Sequence, residues 1–290
     1  MKKVNPDIIK IKVLLLALLL ASVTGCAKCG SLPPEAMCGI SYGPYPENTM
    51  DVSLPRERNG DTPLIILIHG GAWTGGDKGD FSYLRGFLSS RGFAAVSANY
   101  RLAGREGTGI REMMDDMENL TAYVIKQAPA WRYSPSKIFF AGHSAGGHIA
   151  LLYPFTRHRG DSIKGVVSFC GLSDLTDPLQ KEYLRRMQIE GAENRGEPFD
   201  LIAFVAGPGI ENEKRYSPLF NIKAVPVLLF TGREDRIIPW TQSRVLHDEM
   251  VSQGLDSTLY VYPDMGHDLT PHYAEIMRIT MKWIRAKAGE

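Results

Sequence analysis

The chain has 290 residues, 44% of them hydrophobic and 22% charged, enough to bury the core of one fairly large globular domain or two small ones. Its 33 Lys and Arg stand against 32 Asp and Glu, a formal net charge of +1, and the basic residues are spread along the chain. That distribution leaves no electrostatic footprint for nucleic acid, and no internal repeat or low-complexity tract is present.

The first 25 residues read as a secretory signal rather than as part of the fold. Lys2, Lys3, Lys10 and Lys12 precede an apolar run from Val13 to Val23 that is short for a bilayer span. The run closes on VTGC, which resembles the lipobox of bacterial lipoproteins. The resemblance implies that Cys26 is diacylated and becomes the mature N-terminus. Ala27 follows where an acidic residue would favour inner-membrane retention, so the same resemblance points to the periplasmic side of the outer membrane. An ordinary signal peptide or an uncleaved anchor is the competing reading. Residues 26–45, rich in Gly, Pro and Ser, read as a tether, and an oxidising compartment permits a Cys29 to Cys38 bridge across SLPPEAM.

Residues 46–290 read as the folded domain. Apolar β-prone runs alternate with helical patterns: LIILIHGG (64–71), FAAVSANY (93–100), KIFFAG (137–142), IKGVVSFCG (163–171), VPVLLFTG (225–232) and STLYVYPD (257–264), closed by an amphipathic helix from His272 to Ala286. This alternation predicts an α/β fold, a mostly parallel sheet covered by helices on both faces. About 175–224 is too long for an ordinary connection and reads as a short cap insertion over the carboxyl edge of the sheet, where open α/β sheets bind ligands.

Four motifs fall at strand ends. GHSAG (142–146) is a G-x-S-x-G pattern at a strand-to-helix join, in which Gly142 and Gly146 let strand and helix approach while the turn displays the Ser144 hydroxyl. The mundane alternative is that Ser144 merely caps the helix. HGGAWTGGDKGD (69–80) offers backbone N–H groups of Gly71 and Ala72, which with Ala145 would make a three-donor oxyanion hole. His69 reads as structural, and Trp73 as either a wall of the acyl site or core packing. TGREDRIIP (231–239) supplies a carboxylate to orient an imidazole, with Asp235 the choice, Glu234 its competitor and Asp174 a remoter one. PDMGHDL (263–269) places His267 after the last strand, whereas His143 is the variable residue of the elbow motif, His148 lies on its helix, and His158, His247 and His272 read as surface residues. The chain order Ser144, Asp235, His267 is that of α/β-hydrolases and not of the chymotrypsin or subtilisin folds. No Cys/His spacing reads as a zinc site, Cys170 reads as a buried thiol, and the chemistry needs neither metal nor organic cofactor.

YGPYPENTMDVSLP, HGGAWTGGDKGD, ANYRLAG, FFAGHSAGGHIALL, RYSPL, TGREDRIIP and MGHD together resemble the α/β-hydrolase esterases related to hormone-sensitive lipase, in the acetyl-esterase and feruloyl-esterase branch, over about residues 42–287. The resemblance implies Ser144 as nucleophile, His267 as base, Asp235 as orienting acid, and Asp77 and Lys78 as residues that brace the loop. The implied substrate is a short acyl ester of a small molecule or glycan. HGGAW also matches arylformamidases, so an amidase or peptidase of the same fold is the rival enzyme, and a silent binding protein the rival outside enzymes.

Overall fold

The computed structural model describes residues 35–104, 107–158, 160–190 and 200–290. Residues 1–25, read as a secretory signal, and Cys26 and Cys29 lie outside these residues. Eight strands, β1 (Glu35–Ser41), β2 (Thr49–Leu54), β3 (Leu64–Ile68), β4 (Ala94–Ala98), β5 (Ile138–His143), β6 (Ile163–Phe169), β7 (Val227–Gly232) and β8 (Ser257–Tyr262), form one sheet in the order β1-β2-β4-β3-β5-β6-β7-β8. From β4 to β8 every neighbouring pair is parallel; β1 pairs antiparallel with β2, and β2 with β4.

The helices are α1 (Ser82–Ser90), α2 (Ile110–Trp131), α3 (Ala145–Thr156), α4 (Pro178–Glu190), α5 (Leu201–Ala206), α6 (Ile210–Arg215), α7 (Thr241–Ser252) and α8 (Tyr273–Ala288). The two-residue period of β3 divides the core. Leu64, Ile66 and Ile68 face a cluster containing Met113 and Met117 of α2, Ile149 of α3 and Leu246 of α7. Ile65 and Leu67 face a second cluster with Leu84 and Leu88 of α1 and Ile276 and Ile284 of α8. A strand apolar at every position is therefore one that buries both faces, and the α/β fold with a mostly parallel sheet expected from the alternation is what these residues build.

One boundary moves. Residues 26–45 read as tether, yet Glu35–Ser41 is a strand hydrogen-bonded along β2, with the register shifting between Met37 and Ile40 around Gly39. Edge strands need no continuous apolar run, since one side of the ladder and much of one face meet water, so EAMCGIS carries no strong strand signal. Cys38 on β1 is exposed and pairs with no cysteine among the described residues, and Cys29, its expected partner, lies outside them.

Because β3 to β8 run parallel, their carboxyl ends share one edge. The loops after β3, β5, β6, β7 and β8 converge there.

Candidate active site

Ser144 joins β5 to α3 with φ +58° and ψ −123°, a conformation that costs a non-glycine residue of order 1–3 kcal/mol. The turn is enforced by contact between backbones. A Cβ on Gly142 would stand 2.2 Å from the carbonyl oxygen of Gly146, and one on Gly146 would stand 2.1 Å from that of Ile68. Ser144 donates its N–H to the Phe169 carbonyl at 2.9 Å, and its hydroxyl makes no cap to α3. The capping explanation of this serine therefore fails.

Asp235 and His267 meet. His267 Nδ1 lies 2.7 Å from Asp235 Oδ2, while Asp235 Oδ1 accepts the N–H groups of Ile237 and Ile238 at 2.8 and 2.9 Å. Asp235 is 3% exposed, and a buried carboxylate needs such donors to remain charged. The carboxylate accepts, so Nδ1 carries the proton and Nε2 keeps its lone pair. The two competing acids are elsewhere occupied. Glu234 is exposed, and Asp174 Oδ1 accepts from Thr176 N–H at 2.7 Å and Thr176 Oγ1 at 2.6 Å, closing its own turn. The loops that carry Asp235 and His267 are tied directly, Arg233 N–H to Tyr262 O at 2.9 Å and Glu234 N–H to Met265 O at 3.2 Å.

The loop after β3 lies against the elbow, since a Cβ on Gly70 would stand 3.2 Å from that of Ser144. Gly71, Ala72 and Trp73 all have positive φ, and among the described residues no acceptor takes the N–H of Gly71, Ala72 or Ala145. His69 is structural as expected: it stacks on Tyr100 with ring centroids 4.4 Å apart, and its Nδ1 lies 2.8 Å from Gly70 O. The bracing implied for Asp77 and Lys78 is present. Asp77 accepts from Gly79 N–H and Asn99 Nδ2, and Lys78 Nζ stands 3.0 Å from the buried Asp51. Trp73, by contrast, is 1% exposed, so it packs in the core and does not wall an open site.

The sequence reading set aside both histidines beside the serine. His143 Nε2 donates to the backbone carbonyl of His267 at 2.7 Å, with the two rings 4.6 Å apart, and burial, then the neighbouring His267, hold its pKa down at about 4. His148 is 0% exposed, and burial lowers its pKa to about 4 as well. Neither had a local signal, because their partners are distant in the chain. The three expected surface histidines also have partners: His158 with Ser162, His247 with Ser257, and His272 with Asp264.

Cys170, with φ +49°, is a buried thiol as expected, its pKa pushed up by burial and by Asp235. Its sulfur, an Asp235 oxygen and a His267 nitrogen lie within 4.8 Å of one another, the one group among the described residues with a metal-ligand set. Asp235 and His267 spend those atoms on each other, so the donor set fits an acid–base pair better than an ion.

Residues 50–250 match the BD-FAE family. The chain belongs to that family. The BD-FAE match spans the loop after β3, the elbow and Asp235, and His267 lies beyond its end. The rice (Oryza sativa subsp. japonica) probable isoprenylcysteine alpha-carbonyl methylesterase ICMEL1 is 28% identical over 246 residues, 79% of this chain and 56% of that one. The kynurenine formamidase of Danio rerio is 28% identical over 155 residues, 52% of this chain and 50% of that one. This BD-FAE chain thus spans about half the length of the curated relatives it matches. The crystal structure of esterase B from Lactobacillus rhamnosis superposes with a TM-score of 0.71 at 19% identity, covering 88% of this chain and 86% of that one, a likeness of fold.

Proposed function

We propose that the protein is a serine carboxylesterase acting on short acyl esters. The observation that carries this reading is the 2.7 Å Asp235–His267 hydrogen bond beside a strained serine whose hydroxyl caps nothing. His267 Nε2 takes the proton as Ser144 Oγ attacks the ester carbonyl. The N–H groups of Gly71, Ala72 and Ala145 receive the negative charge of the tetrahedral intermediate. Its collapse breaks the bond to the alcohol, which leaves with that proton. Water, deprotonated by the same imidazole, then releases the acid and frees Ser144. Asp235 holds the tautomer and stabilises the imidazolium.

Membership of the BD-FAE family and the methylesterase relative favour ester substrates, acetyl or feruloyl groups on carbohydrate among them. The formamidase relative favours a second reading, hydrolysis of a small aryl formamide. Turnover of p-nitrophenyl esters graded by chain length, of acetylated and feruloylated glycans and of an N-formyl aniline separates the two. Covalent labelling of Ser144 by a fluorophosphonate is expected in either case. An inert, unlabelled but folded protein would sink both and leave a silent binding fold.

We propose in addition that Cys26 carries lipid and holds the enzyme at the periplasmic side of an outer membrane. The support is the basic and apolar segment ending in VTGC. Two acyl chains suffice for stable attachment where one is marginal. Cys26→Ser is expected to lose lipid label and membrane fractionation; retention of both overturns the anchor.

A further inference from the structure

The loop that offers Gly71 and Ala72 is built on improbable backbone. Ala72 has φ +53° and Trp73 φ +60°, and such residues persist only where their surroundings hold them. Among the described residues two hydrogen bonds hold Trp73. Its carbonyl accepts the N–H of Ala103 at 2.8 Å, and its indole Nε1–H points at His148 Nδ1, 3.2 Å away, with the rings edge to face. An indole nitrogen can only donate, so Nδ1 is the bare nitrogen and the proton sits on Nε2. That proton is donated at 2.7 Å to the carbonyl of Tyr216, in the segment between β6 and β7.

We infer that His148 is a positioning residue that joins the oxyanion loop to the segment between β6 and β7, one ring nitrogen serving each. The same segment reaches the acid loop, where Gln180 Nε2 donates to Ile237 O at 3.2 Å, and the start of the loop after β6, where Leu219 N–H donates to Ser173 O at 2.9 Å. His148 is therefore a tie between the segment and the side of the site that receives charge. A protonated ring would have no acceptor for Trp73, and the burial that holds its pKa near 4 keeps it neutral. The kinetic consequences rest on the esterase reading; the bridge itself does not.

The two halves of the bridge can be cut separately. In His148→Asn the amide oxygen stands where Nδ1 stood and keeps the indole bond. In His148→Gln the amide nitrogen stands where Nε2 stood and keeps the Tyr216 bond. Trp73→Phe removes the indole donor and leaves His148 intact. With ester substrate, His148→Gln and Trp73→Phe are expected to lower kcat by about ten- to hundredfold with KM within about twofold, because they loosen charge-stabilising donors. His148→Asn is expected to raise KM by about fivefold with kcat within about threefold, because it frees the segment only. Hydrogen exchange of the Trp73 indole N–H, assigned by its loss in Trp73→Phe, gives a readout that needs no turnover. Slow exchange is expected in wild type and His148→Asn, fast exchange in His148→Gln. Equal kinetic losses in the Asn and Gln variants, or equal indole exchange, overturn the inference. If wild type turns over no ester or amide and takes no fluorophosphonate, the esterase reading falls while the exchange rates still judge the bridge.

Discussion

Around Ser144 the chain is held by backbone against backbone, and between β6 and β7 it is held by side chains, with Leu175, Leu184, Ile202 and Val205 buried in the core beside a set of polar ties. At the elbow, carbonyl oxygens of Ile68 and Gly146 fill the space where side chains of Gly146 and Gly142 would stand. The segment from Leu175 onward is fastened by Ser217 Oγ, which accepts from Leu175 N–H at 2.8 Å, by Gln180 and by Tyr216, while Leu179, Ile210 and Phe220 face water. Close packing of backbone admits one arrangement of the elbow. Side-chain packing, and hydrogen bonds that each contribute about 1 kcal/mol, can be altered one at a time, so the segment tolerates substitution better than the elbow does. The chemistry is expected to fail abruptly when the first region is altered and the selectivity to drift when the second is.

The largest effects belong to the elbow and its partners. Ser144→Ala and His267→Ala are each expected to lower turnover on the order of 10⁴ to 10⁶, with the double variant scarcely worse, because nucleophile and base act as a unit. Asp235→Asn should cost about 10⁴ by favouring the wrong tautomer. Glu234→Gln and Asp174→Asn should stay within about threefold, as neither carboxylate faces the imidazole. Steady-state kinetics on one p-nitrophenyl ester checks all six variants. A collapse in Asp174→Asn beside a healthy Asp235→Asn would relocate the acid and dissolve the contrast.

A smaller effect follows from the neutral histidines on either side of Ser144. His143 and His148 titrate at about 4 in the folded chain, against about 6.5 for an unperturbed imidazole. Between those values the unfolded chain binds more protons, so stability rises with pH across the window and falls as the medium is acidified from about 6.5 towards 4. Each histidine contributes up to about 1.4 kcal/mol per pH unit there. Urea unfolding at stepped pH should show this slope, and His143→Gln with His148→Asn should flatten it. An unchanged slope in the double variant would place the acid sensitivity outside the elbow.

The contrast also explains what could be read from the sequence. β3 to β7 were legible because burial on both faces writes continuous apolar runs such as LIILI, β8 through its β-prone STLYVY despite its place at the edge, and Ser144, Asp235 and His267 because each follows such a run in a short motif. The strand from Glu35 to Ser41 was not, since an edge strand need not be apolar. Asp235 could not be separated from Glu234 by type; only the fold buries one and exposes the other. The bridge through His148 left no trace, because Trp73 and Tyr216 lie 75 and 68 residues away and no spacing rule links them.

The smallest effect on stability is expected where the segment between β6 and β7 is most exposed. Ile210 opens the six-residue α6, and Phe220 ends the short Pro218–Phe220 turn of helix; both are about half exposed. Substitution of such residues by serine changes stability by no more than about 0.5 kcal/mol, a shift in Tm of about 1–2 °C for a chain of this size. Large apolar side chains left in water near a ligand edge are, however, the sort of surface that receives an acyl chain. Ile210→Ser and Phe220→Ser should therefore raise KM for butyryl or longer p-nitrophenyl esters by about twofold or more while leaving acetyl turnover and Tm alone, since a lost apolar contact is worth about 1 kcal/mol or less. If KM is unmoved for every acyl length, the segment does not line the substrate path, and the division between a fixed elbow and an adaptable segment loses its second half.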